Sequence, residues 1–307
     1  LTDPEAEALR SHLERKPDFY TILVSGVDDH AGGSDTNILV AVDAANNYIY
    51  GVSIPRDTKA VVEGKNHKIN YAYNAGGIDL LAQTISGQLG IPVDYTVSVD
   101  LQGFVALVDA IGGVTFDVPI DMNYEDPYQD LSIHISKGPQ TLNGEQAMGV
   151  IRFREGKNGY SNGDIGRIET QQAFLKAMAE QLLQVQNLSK INQFTQVLAE
   201  NVTTDLSPSN LLWFAQQAVL GGLQAEDIRF VTLPGEGVSA WSRTYHQHLS
   251  YIIPQQDALV ELVNDSLSPF QSEVTREDLA LMSVDSQGAL HCTSGPVADT
   301  QAAAPVA

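Results

Sequence analysis

Apolar residues follow two periods along this chain. Alternating or continuously β-branched runs bounded by turn formers occupy residues 20–24, 37–43, 48–54, 95–99, 114–118, 150–154 and 228–233, a pattern that predicts strands. Apolar positions three and four apart predict helices over 78–89, 101–111, 164–183, 208–220 and 256–267, the longest of them opening at Asp164. Asn46-Asn47 marks a tight turn between the second and third strands. Strands and helices alternate irregularly, so the expected architecture is α/β: a three-layer α/β/α sandwich around a mixed central sheet. From Asp285 onward large apolar residues become scarce, and the end of the chain is expected to fray.

Composition narrows the picture. At 307 residues with 43% hydrophobic and 18% charged positions, the chain can bury a sizeable core and is too apolar to be disordered. Lys and Arg number 17 against 38 Asp and Glu, a formal charge of −21, so the surface repels phosphate backbones and no nucleic-acid partner is expected. A cluster of arginines would therefore stand against the chain's own field. Cys292 is the single cysteine, which excludes a disulfide framework and a cysteine-based zinc site. No apolar run approaches the ~20 residues of a membrane span. The chain opens at Leu1 without a basic-then-apolar leader, and reads as a processed form or a fragment whose targeting segment has been removed.

Four segments could carry chemistry. Residues 22–28 run from a strand into the loop Asp28-Asp-His-Ala-Gly-Gly-Ser-Asp35-Thr36, placing Asp28 and Asp35 at neighbouring strand ends. Two carboxylates there suit a shared Mg²⁺, although Asp and Gly also simply make turns. Ser53-Ile-Pro-Arg56-Asp57 ends a strand; Pro55 stops the ladder and leaves Arg56 and Asp57 at the sheet edge, as a ligand-facing pair or a surface ion pair. Read as a strand, Val150-Ile-Arg152-Phe-Arg154 puts both guanidinium groups on one face about 7 Å apart. That pitch suits a diphosphate, each arginine offering bidentate bonds to phosphate, or else two solvent-facing side chains. Asp164, Arg167 and Gln171 share one face of the long helix; they form either a capped, solvated first turn or an anion site at a helix N-terminus.

Taken in order, the segments resemble the LytR-CpsA-Psr family of bacterial cell-envelope enzymes. The residues that carry the resemblance are Leu-Val-Ser-Gly-Val-Asp28, Ser34-Asp35-Thr36, Val52-Ser-Ile-Pro-Arg56-Asp57, Lys68-Ile-Asn70-Tyr-Ala-Tyr73 with Gly76-Gly77, residues 103–115, residues 142–147, Arg152-Phe-Arg154, and residues 163–172. Residues 202–270 resemble the C-terminal extension of some Gram-positive members. The resemblance implies an N-terminal stalk remnant over 1–17, one catalytic domain over 18–270 with its extension from about 200, and a flexible tail over 271–307.

It also implies an activity, namely Mg²⁺-dependent transfer of a phosphorylated glycopolymer, teichoic acid or capsule, from a polyprenyl-diphosphate carrier to peptidoglycan. Asp28, Asp35 and Asp164 are assigned to the metal; Arg56, Arg152, Arg154, Arg167 and Gln171 to the phosphates, with Lys68 and Asn70 as further substrate contacts. Asp57 or Asp164 would take the acceptor's proton. The domain would stand on the extracellular face of the membrane of a Gram-positive-type bacterium, held by an anchor this chain lacks. Three departures stand out: Gly33 where the family has arginine, a short loop from Asp28, and Thr170 where the family has a second helix arginine. A polyprenyl-diphosphate hydrolase and a non-catalytic lipid-binding or regulatory protein are the competing readings. Restoring arginine at Gly33 is expected to add a phosphate donor.

Overall fold

The computed structural model describes residues 14–27, 33–128, 131–154, 159–161, 163–183, 191–242, 246–279, 282–284 and 290–292. Within it the described residues form two compact units, those up to Ser98 together with those from Thr232, and those of Val99–Val231. Both combine strands and helices, the α/β class expected from the pattern.

The first unit is built on β1 (Phe19–Val27), β2 (Ser34–Asp43) and β3 (Tyr48–Pro55), antiparallel neighbours in registers that include Leu23↔Leu39 and Leu39↔Val52. All three of those residues are fully buried. The β2–β3 turn falls at the expected Asn pair: Asn47 has a positive φ of 54°, which asparagine tolerates, and Asn46 is bonded through backbone and side chain to Asp43. A short hairpin follows, β4 (Lys59–Val62) with β5 (Lys65–Lys68), paired Lys59↔Lys68.

Next comes α1 (Asn70–Leu89), broken at Gly76 and Gly77, where φ of 68° at Gly77 is the left-handed region glycine enters freely. The periodicity predicted a helix only from 78 because the break resets the phase of the pattern. β6 (Tyr95–Val99) then lies beside β1, giving the order β6-β1-β2-β3. A buried network ties the start of β6 to β1: Asp94 accepts from the Thr21 amide at 2.8 Å and from Arg15 at 2.7 Å.

The second unit begins with α2 (Leu101–Ala110), capped by the Asp100 carboxylate on the Gly103 amide at 2.6 Å. Four strands follow, β7 (Val114–Val118), β8 (Met122–Asp126), β9 (Leu131–Ile135) and β10 (Gly138–Leu142), which pair as β7·β10 and β8·β9. Helices α3 (Gly144–Arg152), α4 (Asp164–Leu183) and α5 (Ile191–Asn201) come next, then β11 (Thr203–Thr204), α6 (Pro208–Leu220) and β12 (Ile228–Thr232). Phe116, Phe153 and Phe174 are the large rings of its core, with Phe116 edge-on to Phe174 at 5.4 Å.

Here the structure overturns one expectation. Residues 150–154 are not a strand: Val150, Ile151 and Arg152 are the last turn of α3, and only Phe153 turns extended, with φ −61° and ψ 121°. A five-residue apolar alternation fits either structure. The helix wins because Asn143 and Gln146 form a reciprocal capping box at its start, satisfying orphan amides that a strand would leave open.

The chain then returns to the first unit with the hairpin β13 (Gly235–Ser242) and β14 (Gln247–Pro254), helix α7 (Gln256–Leu262), and the pair β15 (Met282–Val284) and β16 (Leu290–Cys292). Within the stretch expected to be a tail, Val274 and Leu279 are buried and Asn264 bonds Val274 through both amide groups. Residues 293–307 and residues 1–13 lie outside the described residues. Among the described residues no helix is long and apolar enough to cross a membrane.

Candidate functional site

In the first unit the register of β2 and β3 makes the site. Thr36 faces Pro55, so Asp35 and Arg56, one step beyond on each strand, come side by side, and Arg56 Nη1 donates to Asp35 Oδ1 at 2.7 Å. Both side chains keep part of their surface in solvent. Asp57 accepts from Lys68 Nζ at 2.6 Å. The Asn70 amide reaches the Arg56 carbonyl at 3.4 Å and the Ile69 amide the Thr58 carbonyl at 2.8 Å. The start of α1 is thereby tied to the Arg56 turn, and Arg56, Asp57, Lys68 and Asn70 form one continuous patch. Asp28 lies outside the described residues.

Gly33 precedes β2 with φ of 125°, and a Cβ there would stand 3.0 Å from Asn74 Oδ1. An arginine at this position in this backbone is strained, which corrects the expectation that the side chain could simply be restored.

Two groups near this patch escaped the sequence reading. Lys59, opposite Lys68 in the β4·β5 register, is only 6% exposed, and its ammonium lies over the Tyr251 ring at 4.1 Å, with Lys68 at 5.3 Å from the same ring. Burial lowers the Lys59 pKa, and repulsion from Lys68 lowers it further. The pairing of two lysines across a hairpin could have been read from the sequence; the tyrosine from β14 could not.

In the second unit the overturned strand changes the geometry of the arginines. Arg152 closes α3, half-buried, and Arg154 stands two residues beyond it, past the extended Phe153, exposed. A helix end followed by an extended residue replaces the shared strand face. Between them Phe153 is fully buried and edge-on to Tyr160 at 5.8 Å, anchoring the segment that carries both arginines.

Gln171, on α4, donates from Nε2 to the Ile151 carbonyl at 2.9 Å, satisfying one of the open carbonyls at the end of α3. Its amide nitrogen is thus engaged by backbone, and its direct effect is on where Arg152 begins. Arg167, on the first turn of α4, is 7% exposed. The Tyr160 hydroxyl is pushed up by burial, while Thr170 and Arg167 pull it down. Thr170 is buried and bonds the Gly166 carbonyl at 2.8 Å, a helix-internal role in place of a second arginine. Asp164 opens α4, and its side chain lies outside the description. A separate groove of about 610 Å³ runs along β7 and α4, lined by Phe116, Asp117, Tyr160, Glu169 and Lys176 among others.

The donor set assigned to a metal is chemically suited to Mg²⁺, since carboxylate oxygens are the hard ligands this ion takes. Asp35 is the member whose side chain is described, and one of its oxygens is held by Arg56. Among the described residues no three metal-capable side chains cluster.

Comparisons with known proteins agree with one another. The LytR_cpsA_psr family matches residues 3–266. The chain is 33% identical over 233 residues to the polyisoprenyl-teichoic acid–peptidoglycan teichoic acid transferase TagV of Bacillus subtilis (strain 168), across 73% of this chain and 58% of that protein. Against a TagU of the same description from Halalkalibacterium halodurans it is 33% identical over 247 residues, covering 78% of this chain and 76% of that protein. The crystal structure of B. subtilis TagV superposes with a TM-score of 0.69 at 30% identity, over 80% of this chain and 95% of that chain. The chain thus spans less than two thirds of the full length of TagV.

Proposed function

Since the chain belongs to the LytR-CpsA-Psr family, we propose that it transfers a phosphorylated glycopolymer of the teichoic acid type from a polyprenyl-diphosphate carrier to peptidoglycan, outside the cytoplasmic membrane. The observation that carries the reading is the set of cations. In a chain of net charge −21, Arg56 and Lys68 stand in one patch of the first unit, and Arg152, Arg154 and Arg167 stand at the junction of α3 and α4 in the second. Taken unit by unit, cations held against the overall field, those of the first fixed by Asp35 and Asp57, have a use where a ligand brings phosphate charge.

In the proposed reaction an acceptor hydroxyl of peptidoglycan attacks the phosphorus that bears the glycopolymer. The bond from that phosphorus to the bridging oxygen breaks, a new phosphodiester forms, and polyprenyl monophosphate leaves with the electron pair. The chemistry demands positioning and charge neutralisation more than covalent work by the protein. Arg56, Arg152, Arg154 and Arg167 hold phosphate oxygens; Lys68 adds a point charge fixed by Asp57. Gln171 sets the end of α3 and with it Arg152. Mg²⁺ bound by Asp28, Asp35 and Asp164 would supply further charge neutralisation. Asp57 and Asp164 are the candidates for the group that takes the acceptor's proton, and their Asn variants separate them. The second unit leaves Phe104, Ile151, Met178, Leu182 and Phe194 partly buried at the margin of its core, apolar surface of the kind an isoprenoid covers at ~0.8 kcal/mol per CH₂.

The test supplies a lipid-linked glycopolymer and a peptidoglycan acceptor, with and without Mg²⁺, and identifies products by mass spectrometry. The expected product is the phosphodiester-linked conjugate together with polyprenyl monophosphate. Free phosphorylated glycopolymer as the main product would assign the chain to hydrolysis, and lipid binding with no turnover would assign it to carrier recognition.

A further inference from the structure

Tyr71 is the second residue of α1, and it leaves 42% of its surface in solvent. Its ring is not loose. His67, from β5, stacks on it with centroids 4.0 Å apart and planes within 13°. One face of Tyr71 is therefore occupied, and its exposure belongs to the opposite face and the edge. Burial, then Lys59 and Lys65, hold the pKa of the imidazole behind it below the ordinary 6.5, against an opposing pull from Glu63, which favours the neutral ring.

The stack is fixed in place on both sides. His67 and Tyr71 flank Lys68 and Asn70, and that segment is bonded to the Arg56 turn through the Lys68–Asp57 pair and the Asn70 and Ile69 amides. A flat, neutral, exposed aromatic surface thus borders the residues assigned to phosphate.

We propose that the His67–Tyr71 stack is a binding platform for a pyranose ring, a sugar subsite adjoining the phosphate-binding patch. The inference rests on the transferase reading for the identity of its ligand. The C–H face of a pyranose is apolar and flat and packs on an aromatic face, while its rim of hydroxyls stays free to bond polar neighbours. Because Tyr71 is already held by His67, little side-chain freedom is lost when the sugar binds. Two sugars could bring this chemistry, one in the transferred glycopolymer and one in the receiving glycan strand.

The experiment uses the whole chain and the variants Tyr71→Ala, Tyr71→Phe and Tyr71→Trp, with donor and acceptor varied separately. Tyr71→Ala is expected to raise one KM about fivefold to tenfold, the scale of a lost aromatic contact, with kcat within about twofold and the melting temperature unchanged. Tyr71→Phe and Tyr71→Trp should keep the wild-type KM. A rise in the donor KM places the glycopolymer's sugar on the platform, and a rise in the acceptor KM places the glycan strand there. Unchanged KM values for both substrates in Tyr71→Ala, with the wild type active, overturn the platform and leave the transferase reading standing. If the wild type itself transfers nothing, that reading fails instead. The platform is then judged by calorimetric titration with a soluble N-acetylglucosamine oligomer. Saturable binding lost in Tyr71→Ala and kept in Tyr71→Phe supports it, and binding that is absent, or equal in all variants, overturns it.

Discussion

At position 33 the backbone outranks the family pattern. With φ of 125° and Asn74 3.0 Å from any Cβ, Gly33→Arg is expected to lower the melting temperature and to leave diphosphate affinity unimproved; thermal unfolding and lipid-diphosphate binding check both halves. The arginines differ in the same way. Arg152→Ala and Arg167→Ala should each reduce transfer by about 10²–10³, the cost of removing a preorganised donor at a charged transition state. The buried Arg167 should also lose stability, because its removal opens space in the α4 packing, while the half-buried Arg152 should not. Activity per folded molecule separates the two effects.

Lys59 offers a third residue-level test. Its ammonium is desolvated over Tyr251, so Lys59→Met, which keeps the volume and drops the charge, is expected to hold or raise stability in urea at neutral pH. Its folded pKa lies below the ordinary 10.5, so the wild type regains stability as pH rises through the lowered value toward 10.5. The gap between the two proteins should close over that window.

Among elements, the contact between α3 and α4 decides where the arginines sit. Gln171 reaches from α4 to the Ile151 carbonyl, and Gln171→Leu removes the donor while keeping bulk. Losing one such bond costs roughly 1 kcal/mol, so the melting temperature should fall slightly. Because the bond lies one residue before Arg152, kcat should fall more than stability does. A variant with normal kcat and only a lower melting temperature would reduce Gln171 to a helix tie. The same junction explains the misread strand: Val150, Ile151 and Phe153 have β-forming side chains, but the Asn143 capping box starts a helix seven residues upstream and carries it through them.

At the scale of the molecule, charge is the dominant fact. On the proposed reading a chain of net charge −21 would bind a polyanionic lipid, and Arg56, one of the cations assigned to phosphate, is already paired with Asp35, so a divalent cation would supply further countercharge. Chelation of divalent ions is therefore expected to abolish transfer, and Mg²⁺ to restore it. Asp35→Asn should shift the restoration to higher Mg²⁺ concentration, measured as turnover against free metal. Turnover indifferent to chelator would remove the metal from the mechanism and leave the phosphates to Arg56, Arg152, Arg154, Arg167 and Lys68.

The sequence by itself determined the elements whose pattern is long or whose turns are local. The sheet strands from Phe19 to Pro55 and α4 follow from period, and α6 from period and its Ser207 cap, because neighbours in sequence set backbone preference. It also pointed to the family, since eight short motifs in one order leave little room for chance. Only the tertiary structure decided the rest. Whether residues 150–154 became strand or helix depended on a cap outside the run. That Gly33 could not yield to arginine depended on a φ value and on Asn74. The pairing of Asp35 with Arg56 came from strand register, and the Tyr251 ring beneath two lysines came from a hairpin far along the chain. Burial, register and long-range contact are properties of packing, and residue order constrains them only through the fold it selects.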